Sequence, residues 1–184
     1  KLAVKGVRWQ KGETLITGIG QGFVLATPLQ LAIMTARIAR GGKAVTPRLM
    51  RTPSGDREAG KESEFPDFKP LGVSEAALRV VRRGMESVTN SRRGTAYRAR
   101  IEESGMAMAG KTGSVQIRRI TRAERERGVS KNEDRLWKDR DHALFIGYAP
   151  VNSPRYAVSV VVEHGGGGAK TAAPIARDIL REVQ

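Results

Sequence analysis

The sequence contains no cysteine. That absence excludes disulfides, thiol nucleophiles and thiolate metal sites, and it leaves the redox compartment undecided. The two histidines, His142 and His164, do not have the spacing of a metal-ligand pair, so neither a metal nor a cofactor is predicted. No apolar run approaches the roughly 18 residues of a membrane-spanning helix, so no membrane segment is predicted in this chain.

Aromatic residues are also scarce, at 5% of the chain, whereas Lys and Arg outnumber Asp and Glu by 33 to 19. The resulting formal charge of +14 attracts polyanions such as nucleic acid, anionic lipid or acidic wall polymers. The basic residues are spread along the chain without the interleaved aromatics that stack on bases. A basic binding module for nucleic acid or an anionic wall polymer is therefore an alternative with electrostatic support but little motif support.

The chain opens with Lys1 instead of methionine, and its first residues do not resemble a signal peptide. We therefore expect a piece of a longer protein. Its 184 residues suit one domain with a sizeable core. Prolines and glycines amid charge predict a loop over residues 50–72.

Three helices are predicted from their caps and from apolar spacing. Thr27 can cap the first, where Pro28 suits the first helical position and Gln30 completes a capping box. Gly41-Gly42 should end that helix, and Ser74 can cap the second. The predicted helices span residues 27–41, 74–89 and 171–183.

Three strands are predicted in the second half of the chain. Residues 142–149 carry apolar groups on both faces, which is typical of a central strand. Residues 156–163 are rich in valine, and residues 106–117 alternate. Charges of both signs over residues 115–141 predict a solvated, partly helical insertion, with a docking surface for an anionic partner as the alternative. The fold class predicted is α+β, an antiparallel sheet flanked by helices.

The run Gly110-Lys111-Thr112-Gly113-Ser114 fits two unrelated signatures. With Gly105 it satisfies G-x-x-x-x-G-K-[ST], the phosphate-binding P-loop. A P-loop needs a buried strand before it and a helix after it, but residues 100–104 are charged and Gly113 would fall in the first helical turn. A P-loop nucleotide hydrolase is therefore the less favoured alternative.

Without Gly105 the same run is K-T-G-[ST], the third motif of penicillin-interacting serine acyltransferases. Other segments, in the right order, resemble class B penicillin-binding proteins of the elongation type. They are Gly18-Ile-Gly-Gln-Gly22, Thr27-Pro-Leu-Gln-Leu-Ala32, Gly94-Thr95-Ala96, His142-Ala-Leu-Phe-Ile-Gly-Tyr-Ala-Pro150 and Val162-Glu-His-Gly-Gly-Gly-Gly168. The resemblance covers nearly the whole chain and identifies residues 1–184 as the C-terminal half of a transpeptidase domain. It implies the C-terminal part of the fold shared by penicillin-binding proteins and serine β-lactamases.

The resemblance implies a peptidoglycan D,D-transpeptidase. That family cleaves a D-Ala-D-Ala stem peptide through a serine acyl-enzyme, passes the acyl group to an amine, and is acylated by β-lactams. It uses S-x-x-K, S-x-N and K-T-G motifs, of which only the third is present. Ser130-Lys131-Asn132 matches S-x-N, but it follows K-T-G, so we interpret the match as chance. The nucleophile is expected upstream, and the chain alone is expected to be inactive.

The roles implied for the motif are these. Lys111 supplies positive charge beside the serine of the second motif, and the Thr112 and Ser114 hydroxyls bind the substrate carboxylate. The backbone N–H of Ser114 is one oxyanion donor. Gly113 lets the substrate backbone approach closely. Lys111 and Ser114 are thus the catalytic candidates of this chain.

The resemblance also implies partners and a location. The intact protein would be anchored in the inner membrane with this part in the periplasm, beside a membrane glycan polymerase and an elongation scaffold. No nucleic-acid partner is expected. The missing N-terminal half should cover a sheet edge and apolar helix faces, so the piece alone is expected to oligomerise or swap elements.

Two glycine-rich segments receive structural interpretations. The glycines at 18, 20 and 22 are too irregular for a dinucleotide-binding fingerprint and predict tight backbone turns. His164 and the four glycines after it predict a flexible turn near the cleft. His142 and His164 are interpreted as structural.

Overall fold

The computed structural model describes residues 6–47, 69–118 and 120–184. Five helices lie in these ranges: α1 (Lys11–Gly18), α2 (Pro28–Ala39), α3 (Glu75–Asn90), α4 (Arg122–Arg127) and α5 (Ala172–Glu182). Three strands lie there too: β1 (Ala109–Val115), β2 (His142–Ala149) and β3 (Tyr156–Val162). Most of the predicted loop at 50–72 lies outside the described residues, and its last part, 69–72, is neither helix nor strand.

The caps form as the sequence indicates. Thr27 Oγ1 accepts from the Gln30 backbone N–H at 3.2 Å, and the Thr27 N–H donates to Gln30 Oε1 at 2.8 Å. At the start of α3, Ser74 Oγ accepts from the Ala77 N–H at 3.3 Å. Each cap satisfies N–H groups that lack an intrahelical partner. The three predicted helices are confirmed as α2, α3 and α5, with ends that differ by one or two residues.

Helix α1 is not predicted by the sequence. It begins with a capping box in which the Gln10 N–H donates to Glu13 Oε2 at 2.7 Å. No residue of α1 is buried, and Leu15 is 76% exposed. Because the helix buries no face, its sequence lacks the clear apolar stripe by which helices are recognised.

The strands form one antiparallel sheet in the order β1-β2-β3. Lys111 faces Ile146 and Gly113 faces Leu144 across the first pair, and Phe145 faces Val160 across the second. The central position predicted for residues 142–149 is confirmed. Within the described residues β1 pairs only with β2, so its other edge is free.

Two apolar clusters cover opposite faces of the sheet, because successive residues of β2 point to opposite sides. Phe145 packs with the buried alanines and Leu180 of α5 on one face. Tyr148 packs with Met85 of α3 and Ala39 of α2 on the other. Phe145 and Tyr148 are essentially inaccessible to solvent. The α+β class and the helices flanking an antiparallel sheet are confirmed.

The segment between β1 and β2 contains α4 and two short 3₁₀ turns, Asn132–Asp134 and Trp137–Asp139. No residue of α4 is buried. Arg118 pairs with Glu124, and its donated hydrogen bonds hold the pKa of that carboxyl below its ordinary value. Within residues 6–47, 69–118 and 120–184, no helix combines the length and the hydropathy that crossing a membrane requires.

Candidate active site

All four candidate site residues, Lys111, Thr112, Gly113 and Ser114, lie on the edge strand β1. The register with β2 is continuous from Ala109 to Val115, so the strand has no bulge. Lys111 and Gly113 therefore point to one face and Thr112 and Ser114 to the other, as the alternation predicts. The P-loop alternative is wrong, because Gly110 and Lys111 lie inside a strand and the next described helix, α4, begins only at Arg122.

The backbone of Ser114 faces the free edge of β1. Its carbonyl oxygen accepts a hydrogen bond from Gln21 Nε2 at 3.3 Å, outside the sheet. In an antiparallel ladder a residue directs its N–H and its C=O to the same side. The Ser114 N–H therefore also points away from β2, where a substrate carbonyl oxygen can reach it.

Lys111 is exposed, and it forms no ion pair among the described residues. Its Nζ donates to the Thr112 carbonyl oxygen at 2.7 Å, which also lies on the free edge. The ammonium group is thus held beside the edge where the Ser114 N–H points. A positive charge and a backbone donor at one edge suit an anionic or carbonyl-bearing ligand.

Gln21 reaches the motif from a glycine-rich turn. Gly20 and Gly22 have φ angles of +78° and +96°, which L side chains rarely adopt. The tight turns predicted for these two glycines are confirmed, whereas the turn predicted at Gly18 is wrong, since Gly18 is the last residue of α1. The sequence did not mark Gln21 as a site residue, since its partner Ser114 is 93 residues away.

Thr95 is a second residue that the sequence did not assign to the site. Its hydroxyl lies 3.1 Å from the Thr112 hydroxyl. The turn that carries it is pressed against the end of α3, since a Cβ at Gly94 would lie 2.3 Å from the carbonyl oxygens of Ser87 and Val88. The Gly94-Thr95-Ala96 segment was recognised by resemblance alone, and its contact with the motif gives it a physical role.

A cleft of about 420 Å³ adjoins Thr95. Three cationic residues line it, Arg92, Arg98 and Lys170. Lys170 pairs with Glu133 at 2.8 Å, but both side chains are mostly exposed, so this pair has little energetic weight. The cleft thus extends the positive character of the motif edge toward the start of α5.

The glycine-rich turn after β3 lies directly on the motif. A Cβ at Gly168 would lie 2.4 Å from the Gly113 carbonyl oxygen and 2.3 Å from that of Leu144. Only glycine permits so close an approach between the two backbones. The turn begins at His164, whose φ is +54° and whose N–H donates to His142 Nδ1 at 2.8 Å. No group of three candidate metal ligands occurs in the part of the chain that the structure describes.

These residues lie in a chain whose likeness to known proteins is extensive. The family model for the penicillin binding protein transpeptidase domain matches residues 3–181. The chain belongs to this family. The resemblance on which the sequence interpretation rests is thereby confirmed for the penicillin-binding proteins as a family.

Individual penicillin-binding proteins are also similar to this chain. The chain is 35% identical over 174 residues to the peptidoglycan D,D-transpeptidase MrdA of Haemophilus influenzae, covering 94% of this chain and 26% of that protein. It matches the crystal structure of Pseudomonas aeruginosa PBP2 in complex with WCK 5153 with a TM-score of 0.72 and 36% identity, over 98% of this chain and 34% of that one. It also matches PBP2 of Helicobacter pylori in a complex with MreC, with a TM-score of 0.74 and 31% identity, over 100% and 29% of the respective chains.

The chain spans about a quarter of the length of the curated penicillin-binding proteins that it matches. The roles of Lys111, Thr112, Gly113 and Ser114 stay predictions, since the likeness covers the fold and not the chemistry of each residue. What the structure adds is their joint presentation on a free edge, with Gln21, Thr95 and Gly168 in contact with them.

Proposed function

We propose that this chain is part of a serine-type peptidoglycan D,D-transpeptidase of the elongation type. The observation that carries the proposal is the orientation of Ser114, whose backbone N–H points to the free edge of β1 beside the Lys111 ammonium. An acyl-transfer enzyme needs a backbone donor aimed at the developing oxyanion and positive charge nearby. The similarity to proteins named MrdA supports the same activity.

The reaction proceeds in two acyl transfers. A serine hydroxyl from the part of the protein upstream of this chain attacks the carbonyl carbon between the two D-alanines of a stem peptide. The Ser114 N–H donates to the oxyanion that forms, and the peptide C–N bond then breaks as the terminal D-alanine leaves with a proton on its amine. An amine of a neighbouring stem peptide attacks the ester and regenerates the serine. β-Lactams acylate the same serine.

Three side chains of this chain orient the substrate. The hydroxyls of Thr112 and Ser114 bind the terminal carboxylate. A hydrogen bond of 3.1 Å between the hydroxyls of Thr95 and Thr112 holds the latter in place. Lys111 places its charge beside the proton-shuttling serine of the upstream second motif. Losing one oxyanion donor typically costs ~10²–10³ in rate, and half an oxyanion hole without a nucleophile gives no covalent catalysis.

The missing part of the domain packs against the N-terminal segment of this chain. Leu15 and Ile19 are each 76% exposed, and Leu25 is 91% exposed. Apolar side chains this exposed in a short stretch are typical of a surface that another part of a protein covers. In the whole protein we place this domain on the periplasmic side of the inner membrane. A scaffold protein of the MreC kind and a membrane glycan polymerase are its proposed partners, on the analogy of the Helicobacter pylori complex.

Labelling with a fluorescent penicillin tests the proposal. The 184-residue chain alone should stay unlabelled, and the protein extended upstream should label covalently. Changing Lys111→Ala in the extended protein should reduce labelling by at least about a hundredfold, since a charge at the reacting centre is lost. Covalent labelling of this chain alone would contradict the upstream position of the nucleophile.

A basic binding module is the second candidate function, favoured by the three cations that line the cleft beside Thr95. It predicts strong, salt-dependent binding of a polyanion that does not require Lys111. The transpeptidase proposal predicts the opposite dependence, because β-lactam labelling requires Lys111. Titrating the extended protein and its Lys111→Ala variant with a DNA duplex at low and high salt separates the two.

A further inference from the structure

A compact polar network lies in the segment between β1 and β2, immediately before β2 begins. Residues 116–118 and 120–141 are called the charged segment below. Asn132 Oδ1 accepts from the Asp141 N–H at 3.0 Å, and Asn132 Nδ2 donates to Asp141 Oδ2 at 3.1 Å. Arg135 Nη1 donates to both residues, at 3.1 Å and 3.2 Å. The side chains of Arg135 and Asp141 are only 9% and 16% exposed. A charge pair this shielded, with a neutral amide hydrogen-bonded to both partners, holds one geometry more firmly than an exposed pair does.

This network fixes the glycine-rich turn that follows β3. The Gly166 N–H donates to the Asp141 carbonyl oxygen at 2.8 Å. A Cβ placed on Gly166 would lie 3.6 Å from Cβ of Asn132, so the turn passes close to the asparagine side chain. The Asn132–Asp141 pair is therefore hydrogen-bonded to the turn through Asp141 and lies beside it through Asn132.

A second contact holds the start of the same turn. The His164 ring packs against that of Trp137 in the charged segment, with ring centroids 4.2 Å apart and the planes tilted by 51°. Its Nδ1 lies 3.1 Å from the carbonyl oxygen of Arg140. The charged segment thus holds residues 164–166, while residue 168 packs on Gly113 of the motif. The turn therefore lies between the charged segment and the motif and contacts both.

We propose that Asn132 and Asp141 are positioning residues for acyl transfer. They hold the turn 164–168 so that Gly168 presses on the Gly113–Leu144 pair and fixes the edge where the Ser114 N–H points. The inference rests on the proposed transpeptidase function. An oxyanion donor must stay within about 0.5 Å of its productive position, and a misplacement of 1 Å can cost about a hundredfold in rate.

The test uses the protein extended upstream to include the nucleophile. Asn132→Ala removes both hydrogen bonds to Asp141 and leaves β1 untouched. We expect the rate constant for acylation by a fluorescent penicillin to fall about ten- to a hundredfold. The dissociation constant of the noncovalent penicillin complex should change less than about twofold, since the groups that bind the carboxylate remain. Stopped-flow measurements over a range of penicillin concentrations separate the two constants.

Arg122→Ala is the matched control. Arg122 lies in the same charged segment and is 94% exposed, and among the described residues it pairs with Glu126 one turn on. It should leave both constants unchanged. Hydrogen exchange supplies a readout that does not depend on chemistry: amides of residues 164–168 should exchange faster in Asn132→Ala and at the ordinary rate in Arg122→Ala.

An acylation rate constant in Asn132→Ala within twofold of the parent overturns the inference, as does a loss confined to the noncovalent complex. If Asn132→Ala does not fold, His164→Gly takes its place. Glycine accepts the φ of +54°, but it removes the contact with Trp137, so the same loss of acylation rate is expected. If the parent protein itself is not labelled, the proposed function fails. The exchange measurement then still decides whether Asn132 holds the turn.

Discussion

The strand β1 and the charged segment that follows it are neighbours in the chain, yet different contacts hold them. Around β1 the decisive contacts join backbone to backbone, as where Gly168 meets Gly113. In residues 116–141 they join charged side chains, as where Arg135 meets Asp141 and Arg118 meets Glu124. Backbones packed this closely cannot accommodate an added methyl group without moving apart, whereas the strength of a charge pair changes with salt and pH.

The largest effect that separates the two regions should come from Gly168→Ala. The added Cβ would lie 2.3–2.4 Å from two backbone oxygens, so the sheet or the turn must move. We expect a loss of about 1–3 kcal/mol in the free energy of unfolding and an acylation rate of the extended protein reduced more than tenfold. Chemical denaturation and penicillin labelling measure these. Gly167→Ala is the control, since a Cβ there meets nothing within 4 Å; equal losses in both variants would show that the contact has no special weight.

A smaller effect is expected at Thr95. Thr95→Val keeps the shape of the side chain but removes the hydroxyl that lies 3.1 Å from the Thr112 hydroxyl. One such hydrogen bond contributes about 0.5–1.5 kcal/mol, so the acylation rate should fall roughly three- to tenfold. Thr95→Ser retains the hydroxyl and should restore most of the rate. A Thr95→Val protein that is acylated at the parent rate would show that the Thr112 hydroxyl does not depend on its hydrogen bond with Thr95.

The smallest effect is expected at the Arg118–Glu124 pair of the charged segment. Arg118 holds the pKa of Glu124 below its ordinary value, chiefly by donating hydrogen bonds to it. The pair therefore stabilises the segment above the ordinary carboxyl range and loses that contribution as the pH falls through the lowered pKa. Amide resonances near Glu124 should shift as the pH falls below the ordinary carboxyl range, while those of β1 stay in place. In Glu124→Gln this shift should be absent, and a matching shift in β1 would show that the Arg118–Glu124 pair also affects β1.

Much of the fold follows from short-range features of the sequence. Helices α2 and α3 begin where Thr27 and Ser74 can cap them, and β2 lies at the centre of the sheet because both its faces are apolar. The sequence also places Lys111 and its neighbours on a strand, because the residues before and after the run do not suit a P-loop. These features depend on residues a few positions apart, which a sequence displays directly.

The rest depends on contacts between distant residues. Strand β1 begins at Ala109 and not at Met106. The Met108 carbonyl oxygen just before it accepts hydrogen bonds from α3, from Thr89 at 2.7 Å and Asn90 at 2.9 Å. The contacts of Gln21 and Gly168 with the motif join segments far apart in sequence, and no local pattern identifies the partner. Asn132 is the clearest case: its S-x-N string carries no catalytic meaning in the order found here, but its side chain organises the segment.

The contact between Gly168 and Gly113 has a consequence for how the protein can change. Both partners are glycines, so neither can lose a side-chain atom to relieve a neighbour that has gained one. A substitution at Gly168 therefore acts as an all-or-none change, because its Cβ would lie 2.3–2.4 Å from two backbone oxygens. A Cβ at Gly113 would instead lie 3.2 Å from Cβ of Leu144 and needs only a small shift. Smaller changes in reactivity, toward a substrate or an antibiotic, can instead arise at Asn132, Asp141 and Arg135. Among the described residues these three form no hydrogen bond with the motif, and their amide, carboxylate and guanidinium groups can be exchanged individually.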